Sequence, residues 1–486
     1  VLGAFSCAAI TACFSSSNNG SDAGTQPPTI AAGGTGAFGI VVVGGKQKMY
    51  LPQKPDPVTG KAYVAVVNVG VGGNGVAGAP ALITKIDLGS GGDAGLGAFV
   101  VPYATATGGD SSMVIAVSTE FPVVWFIDPN TDTLVKTLTL DSSYGKSSFS
   151  GGGGYVTGVA VDSANHRAIL SVWNGFALVD LGSQSITSVI QAPPSENFGF
   201  DSVHQRILAP FYDCSSSTAT DPDSGLTSQP SSCTTPKTSA EAGGTTITEG
   251  LSVIDLNDHN TVYNYQPPPP PADASPYSYQ VSPTTPVGGE PDSAAADPTT
   301  GVVVVPAEGG AFQNIIDFSQ ATFDKASLTV TAPAKTIPNV PMTGVAVEFN
   351  KHLAFFEEEW SEDVGVLDLN AANAGSTAWV HGRMPQLPVA SSDDGGATTS
   401  GVPSADGGGT GVTGTAFANL GDPHGIAVTT SLTSAGPVGF VVNGNLDWVA
   451  RVDLASMLAK AQGDGGETQL TEEDMAPFVT YLDATH

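Results

Sequence analysis

The feature that most constrains this chain is residues 157–190, TGVAVDSANHRAILSVWNGFALVDLGSQSITSVI, because the rest of the sequence repeats it. The stretch divides into four short runs of Val, Ile, Leu and Phe, at 158–161, 168–172, 176–180 and 186–190, separated by Asp-Ser-Ala-Asn, Asn-Gly and Gly-Ser-Gln-Ser. Connections this short cannot hold crossover helices, so the four strands must run up and down as one antiparallel sheet. Residues 38–52 match the first half of the unit without a gap and place Lys48 where the reference unit has Arg167. Residues 200–209 place Arg206 there, residues 294–305 and 343–355 repeat the unit again, and 424–428 opens a last copy. A weaker copy lies within 98–140, where 113–118 and 123–128 stand for its second and third strands. The third strand tends to end in Asp: Asp128, Asp180, Asp255, Asp317, Asp368 and Asp453, with Asn68 in the first copy.

One four-stranded sheet cannot bury both of its faces, whereas seven stacked radially can. The expected fold is therefore all-β: a seven-bladed β-propeller of four-stranded antiparallel blades, at about 38–88, 98–140, 157–190, 196–266, 292–332, 343–383 and 424–483. The pattern Gly-aliphatic-Ala-Val-Asp, then Arg-aliphatic, then aliphatic-Asp-Leu resembles the YVTN-type propeller repeats of extracytoplasmic bacterial proteins, over roughly residues 38–456. The Gly-His and Trp-Asp dipeptides of WD-repeat blades are absent.

Charge narrows the partners. Lys plus Arg number 16 against 46 Asp plus Glu, a formal net charge of −30. Such a surface repels phosphate backbones and anionic lipid headgroups, which excludes nucleic-acid binding and favours cations or basic partners. It also serves simply to keep a surface soluble.

Residues 1–13, VLGAFSCAAITAC, read as the apolar end of a signal peptide. Within them Ile10-Thr11-Ala12-Cys13 resembles a bacterial lipobox, which implies a lipid on Cys13 followed by a flexible polar tether at 14–37. On that resemblance the protein is an outer-membrane lipoprotein, or otherwise a surface, periplasmic or secreted protein, touching membrane only through its lipid. It is expected to be a monomer. Three low-complexity insertions are expected to be loops without a core of their own: 213–249, 267–289 with its five-proline run, and 389–414. The first carries Cys214 and Cys233, a pair expected to form a disulfide in an oxidising compartment.

Catalytic signatures are scarce: there is no Gly-x-Ser-x-Gly, His-Glu-x-x-His or phosphate loop. Gly70, Gly72 and Gly75 spell a dinucleotide fingerprint, but no helix follows, so the segment reads as a hairpin turn. Aligning the copies gives a stronger signal. The first residues of the innermost strands are Phe38, Thr157, Glu196, Asp292, Thr343 and His424, which should lie at one rim of the central channel. Glu196, Asp292 and His424 are the residue types that hold a divalent cation such as calcium, manganese or zinc; equally, a wet channel needs polar rim residues. Loops at the same end carry Glu120, Trp173, Asn174, Glu308, Glu357, Glu358, Glu359, Trp360 and Asn443. Acid interleaved with aromatic residues suits a carbohydrate, a small cationic ligand or a basic protein patch, whereas packing and solvation would explain the same residues without a ligand. Two functions follow. One is a ligand- or protein-binding scaffold module; the other is a metal-dependent hydrolase resembling gluconolactonase-type propellers, with Glu196 and Asp292 as ligands and His424 as ligand or base.

Overall fold

The position of a strand within its blade sets how its residues are buried. The second and third strands are crowded with aliphatic and aromatic residues and are buried on both faces, as in Val114–Val117 and Gly175–Asp180. Fourth strands alternate instead: Thr133–Thr139 is exposed and half-buried in turn along its whole length. This gradient arises when sheets stack face to face around an axis, sandwiching their middle strands and leaving their outer strands half in water.

The computed structural model describes residues 38–53, 61–69, 81–90, 104–107, 113–118, 123–140, 156–172, 175–193, 195, 197–211, 249–267, 287, 291, 293–307, 312–338, 342–358, 363–370, 379–385, 425–430, 436–443, 448–463 and 469–482. They form seven sheets, each built on a four-stranded antiparallel meander, and the sheets close into a propeller ring. Each junction between neighbouring blades holds its own apolar cluster. Ile169 and Phe176 of blade 3 meet Ile207 and Ile254 of blade 4. Met49 and Leu51 of blade 1 meet Phe440 and Val442 of blade 7, and this cluster closes the ring. Blade 1 is built within 39–90 and blade 7 within 425–482, so among the described residues no strand is exchanged across that seam. Its polar stitch is the Gln47 Nε2 donating to Thr429 Oγ1 at 2.7 Å.

Two short segments cross to a neighbouring blade. The fifth blade does not end at 332; its fourth strand is Ala334–Pro338, paired with Phe312–Asp317. The residues ahead of it, Thr322–Asp324 and Thr329–Thr331, form a hairpin that leaves the blade and extends the outer edge of blade 4, with Asn264 opposite Thr329 in a parallel pairing. The local pattern shows only a strand of the right length in the right place; its choice of neighbour is a tertiary matter. Likewise Gln469–Leu470 pairs with the outer strand of blade 6, Trp379–Arg383, before Val479–Leu482 completes blade 7.

Between the third and fourth strands of blade 7 lie the helices Leu454–Gly463 and Glu472–Met475. Thr471 starts the second with a capping box, its hydroxyl accepting from the Asp474 N–H while the Asp474 carboxylate accepts from the Thr471 N–H. Thr471→Ala should cost about 1 kcal/mol of stability, read as a lower thermal midpoint with unchanged circular dichroism below it. No helix among the described residues is long and apolar enough to cross a membrane. The tether at 14–37 and the insertion 389–414 lie outside the described residues, as do all but Glu249 of 213–249 and all but Pro267 and Val287 of 267–289.

Candidate functional site: the junction of blades 4 and 5

The first-to-second-strand turn is built the same way in blades 3 to 6. An acid ends the first strand and pairs across the sheet with the residue that opens the second: Asp162 with Arg167, Asp201 with Arg206, Asp297 with Val302, and Glu348 with Leu353. Four turn residues lie between, and the last adopts a left-handed backbone: His166, Gln205, Gly301 and His352 have φ of 51°, 56°, 73° and 55°. The acid stabilises the turn by accepting its N–H groups. Asp201 Oδ1 accepts from Val203 and His204, and Asp297 Oδ1 from Thr299 and Thr300. The aspartates ending the third strands do the same on the next turn, Asp180 for Ser183 and Asp255 for Asn257. The Ser183 N–H and hydroxyl hold the Asp180 carboxyl below the usual carboxylate range.

Side chains at this end of the ring also bind neighbouring blades together. Between blades 1 and 2, Lys48 Nζ lies 2.7 Å from Asp132 Oδ2, and Tyr50 donates to the other oxygen at 2.7 Å. Lys136 of blade 2 donates to the Gln184 carbonyl of blade 3 at 2.8 Å. Between blades 3 and 4, Gln205 reaches back: its Oε1 accepts from Asn165 and Arg167 at 2.8 Å each, and its Nε2 donates to Asp162 at 3.3 Å. Between blades 5 and 6, His352 makes the corresponding reach, with Nδ1 2.7 Å from Asp297 Oδ2.

Between blades 4 and 5 the reaching position is Gly301, which has no side chain to fill the junction. A Cβ there would lie 2.8 Å from the Ser319 backbone, and the backbone is left-handed, so glycine is required on both counts. A cleft of about 400 Å³ opens in its place. Asp201, His204, Arg206 and Leu208 form one wall, residues 296–301 and Val303 the other, with Phe318, Ser319, Ala321 and Phe323 alongside. Phe323 belongs to the hairpin that crosses from blade 5 to blade 4, so the crossing itself builds a wall of the cleft.

The cleft's charge is decided by which groups are already occupied. Asp201 gives its second oxygen to His204 Nδ1 at 2.7 Å, and Asp297 gives its own to His352. Arg206, by contrast, donates no hydrogen bond among the described residues. Its buried Nε lies 3.8 Å from Asp255 Oδ2, beyond hydrogen-bond range, and its guanidinium lies 4.4 Å from the Phe323 ring centroid. The available polar groups are therefore the Arg206 guanidinium, the remaining His204 nitrogen and threonine hydroxyls. Arg167 and Lys48, at the same repeat position, are both bonded.

The sequence-derived rim maps differently. Glu120, Trp173, Asn174, Glu196, Asp292, Glu308, Glu359, Trp360 and His424 lie outside the described residues, as do Cys13, Cys214, Cys233 and the side chain of Asn443. Glu357 and Glu358 are buried, at 1% and 3% exposure, so neither belongs to a solvated charge run. Of the positions placed at the channel rim, Phe38, Thr157 and Thr343 are buried, and Thr157 donates to the Ser195 carbonyl at 2.8 Å. Among the described residues no three His, Cys, Asp or Glu side chains are grouped to hold a metal ion. The cleft was missed because the copies were compared for what they share; the signal was Gly301 standing where other copies carry Gln205 or His352.

The fold is thus a seven-bladed β-propeller with a cleft at the junction of blades 4 and 5. No protein-family profile and no curated protein matches the sequence. Solved structures of similar fold include the complex of KlAtg21 with the coiled-coil of AgAtg16, at 7% identity and TM-score 0.46, covering 87% of this chain and 94% of that one. Kluyvelomyces marxianus Hsv2 has 7% identity and TM-score 0.43, covering 83% and 87%. Kuenenia stuttgartiensis hydrazine synthase has 14% identity and TM-score 0.36, covering 72% and 99%. Nothing about this chain's ligand follows from likenesses at this level.

Proposed function

We propose that this chain is an extracytoplasmic binding module, lipid-anchored through Cys13 or secreted, whose propeller presents a recognition site rather than a reaction centre. The observation that carries this reading is the cleft that Gly301 leaves between blades 4 and 5, beside a junction tied further out by Lys325 to Asp258 at 2.7 Å and by the Tyr265 hydroxyl donating to the Ala332 carbonyl at 3.0 Å. A volume of about 400 Å³ suits a small ligand or a side chain of a partner. The Asp201–His204 pair has the geometry that orients an imidazole, but no hydroxyl or thiol is bonded to His204 among the described residues, so the pair aims a hydrogen bond rather than activating a nucleophile.

Metal content separates this function from the hydrolase. The whole chain, purified without chelator, should hold less than one divalent ion per molecule by elemental mass spectrometry, and Glu196→Gln and Asp292→Asn should leave that value unchanged. One tightly held ion, lost in either variant, would transfer the assignment to a metal-dependent hydrolase and direct a lactone and ester screen.

A further inference from the structure

We infer that the cleft between blades 4 and 5 binds a small organic carboxylate with a flat apolar body, anchored by Arg206 and His204. The inference deepens the binding-module reading and rests on it. A guanidinium carries five N–H donors, and its planar fork matches the two oxygens of a carboxylate. In Arg206 the Nε–H is buried with no hydrogen-bond acceptor among the described residues, the Asp255 carboxylate standing off at 3.8 Å, and the guanidinium lies 4.4 Å from the Phe323 ring centroid. Leaving such donors unmet is costly, and the repeat shows the usual remedy: Arg167 donates to Asp162 and to Gln205 of the next blade. Gly301 removes that acceptor from the blade 4–5 junction and opens space in the same place. An incoming carboxylate would stand where the Gln205 oxygen stands one junction earlier.

The neighbouring groups select the same class. A cationic ligand would need the Asp201 and Asp297 carboxylates, but turn N–H groups and imidazoles already occupy both oxygens of each. With Nδ1 fixed on Asp201, the other His204 nitrogen is the second polar group available to an anion. A singly charged planar anion suits one guanidinium and one imidazole, whereas a chain with a net charge of −30 disfavours a doubly charged phosphate. The partly exposed Phe318 and Phe323 rings beside the cleft supply the apolar surface for a flat body.

The test uses the full chain and three probes of nearly equal shape, titrated by calorimetry: benzoate, the neutral benzamide and the cationic benzylamine. Benzoate should bind at one site per chain and at least tenfold more tightly than benzamide. Arg206→Gln should weaken benzoate at least tenfold, and His204→Asn, which installs the residue found at the matching place as Asn165, should weaken it severalfold. Because Arg206 makes no hydrogen bond among the described residues, Arg206→Gln should lower the melting temperature clearly less than Arg167→Gln does; equal losses would assign Arg206 a structural role and overturn the inference. Benzamide binding as tightly as benzoate, or benzoate affinity unmoved by Arg206→Gln, would also overturn the carboxylate class. If benzamide or benzylamine nonetheless bound in a manner abolished by Phe323→Ala, the binding-module reading would survive that failure. Binding by none of the three would overturn the inference and leave the cleft unable to support the module reading.

Discussion

Asp162→Ala lowers the free energy of unfolding by about 3 kcal/mol, the cost of stranding a charged partner at a largely buried site. Asp162 is 1% exposed and its carboxylate is shared three ways: Arg167 Nε and Asn165 Nδ2 donate to Oδ2 at 2.9 Å each, and Gln205 Nε2 of the next blade to Oδ1 at 3.3 Å. Removing the acid deprives Arg167 of its counter-charge in a position only 20% exposed and frees the tie between blades 3 and 4 at once. Equilibrium unfolding in urea measures the loss. The variant Arg167→Ala supplies the control: if the two residues act as one unit, the double variant loses clearly less than the sum of the single losses. A single-variant loss below about 1 kcal/mol would mean that the junction is held by apolar packing alone.

The second large effect is on acid stability and comes from His381. It sits on the outer strand of blade 6, stacked at 26° on the Trp379 ring, and its Nδ1 has no hydrogen-bond partner. Asp363 Oδ2 is 4.0 Å away, near enough to attract a proton but too far to bond it, so burial dominates and pushes the imidazole down to about 4. Well above pH 6.5 the imidazole is neutral in both states and adds no pH dependence. As pH falls from 6.5 towards 4 the unfolded chain takes the proton first, and stability drops across that window. A difference of that size amounts to roughly 3 kcal/mol when complete. His381→Leu should flatten this limb: wild type and variant should diverge in urea midpoint as pH falls from 6.5 to 4, with the variant the less pH-sensitive of the two. Parallel curves would show that the imidazole is solvated in the native state.

The ring was legible because its signals are local. Alternating burial, Asx-type turns after the first and third strands, and an Asp closing the third strand each span only a few residues, and each recurs. The expectation failed where a strand had to choose between blades. Residues 322–331 have the composition of a fourth strand, and nothing within them says that Asn264 rather than Asn314 will be their neighbour. Glu357 and Glu358 misled for a related reason: charge in sequence implies solvent, yet both are buried, and Glu357 lies so close over Gly344 of the innermost strand that a Cβ there would collide with it. The cleft was encoded in a single missing side chain, and its meaning depends on knowing that Gln205 and His352 reach across a junction. Functional positions here lie in the departures from the repeat, where a search for likeness does not look.

The seam between blades 7 and 1 has a consequence for how this polypeptide can be rearranged. Each blade takes its four meander strands from a single stretch of chain, and the segments 322–331 and 469–470 reach a neighbour from within the stretches of blades 5 and 7, so covalent continuity across any one junction contributes proximity and nothing else. The ring is then indifferent to where the backbone is interrupted. Seven reading orders of the same blades would lead to one shape, and the order found here is one cut of a closed circle. What differs between the cuts is which junction must find its partner by diffusion. In the existing order that falls to Met49, Leu51, Phe440 and Val442, which therefore act as the latch of the circle and are the natural place for it to come undone.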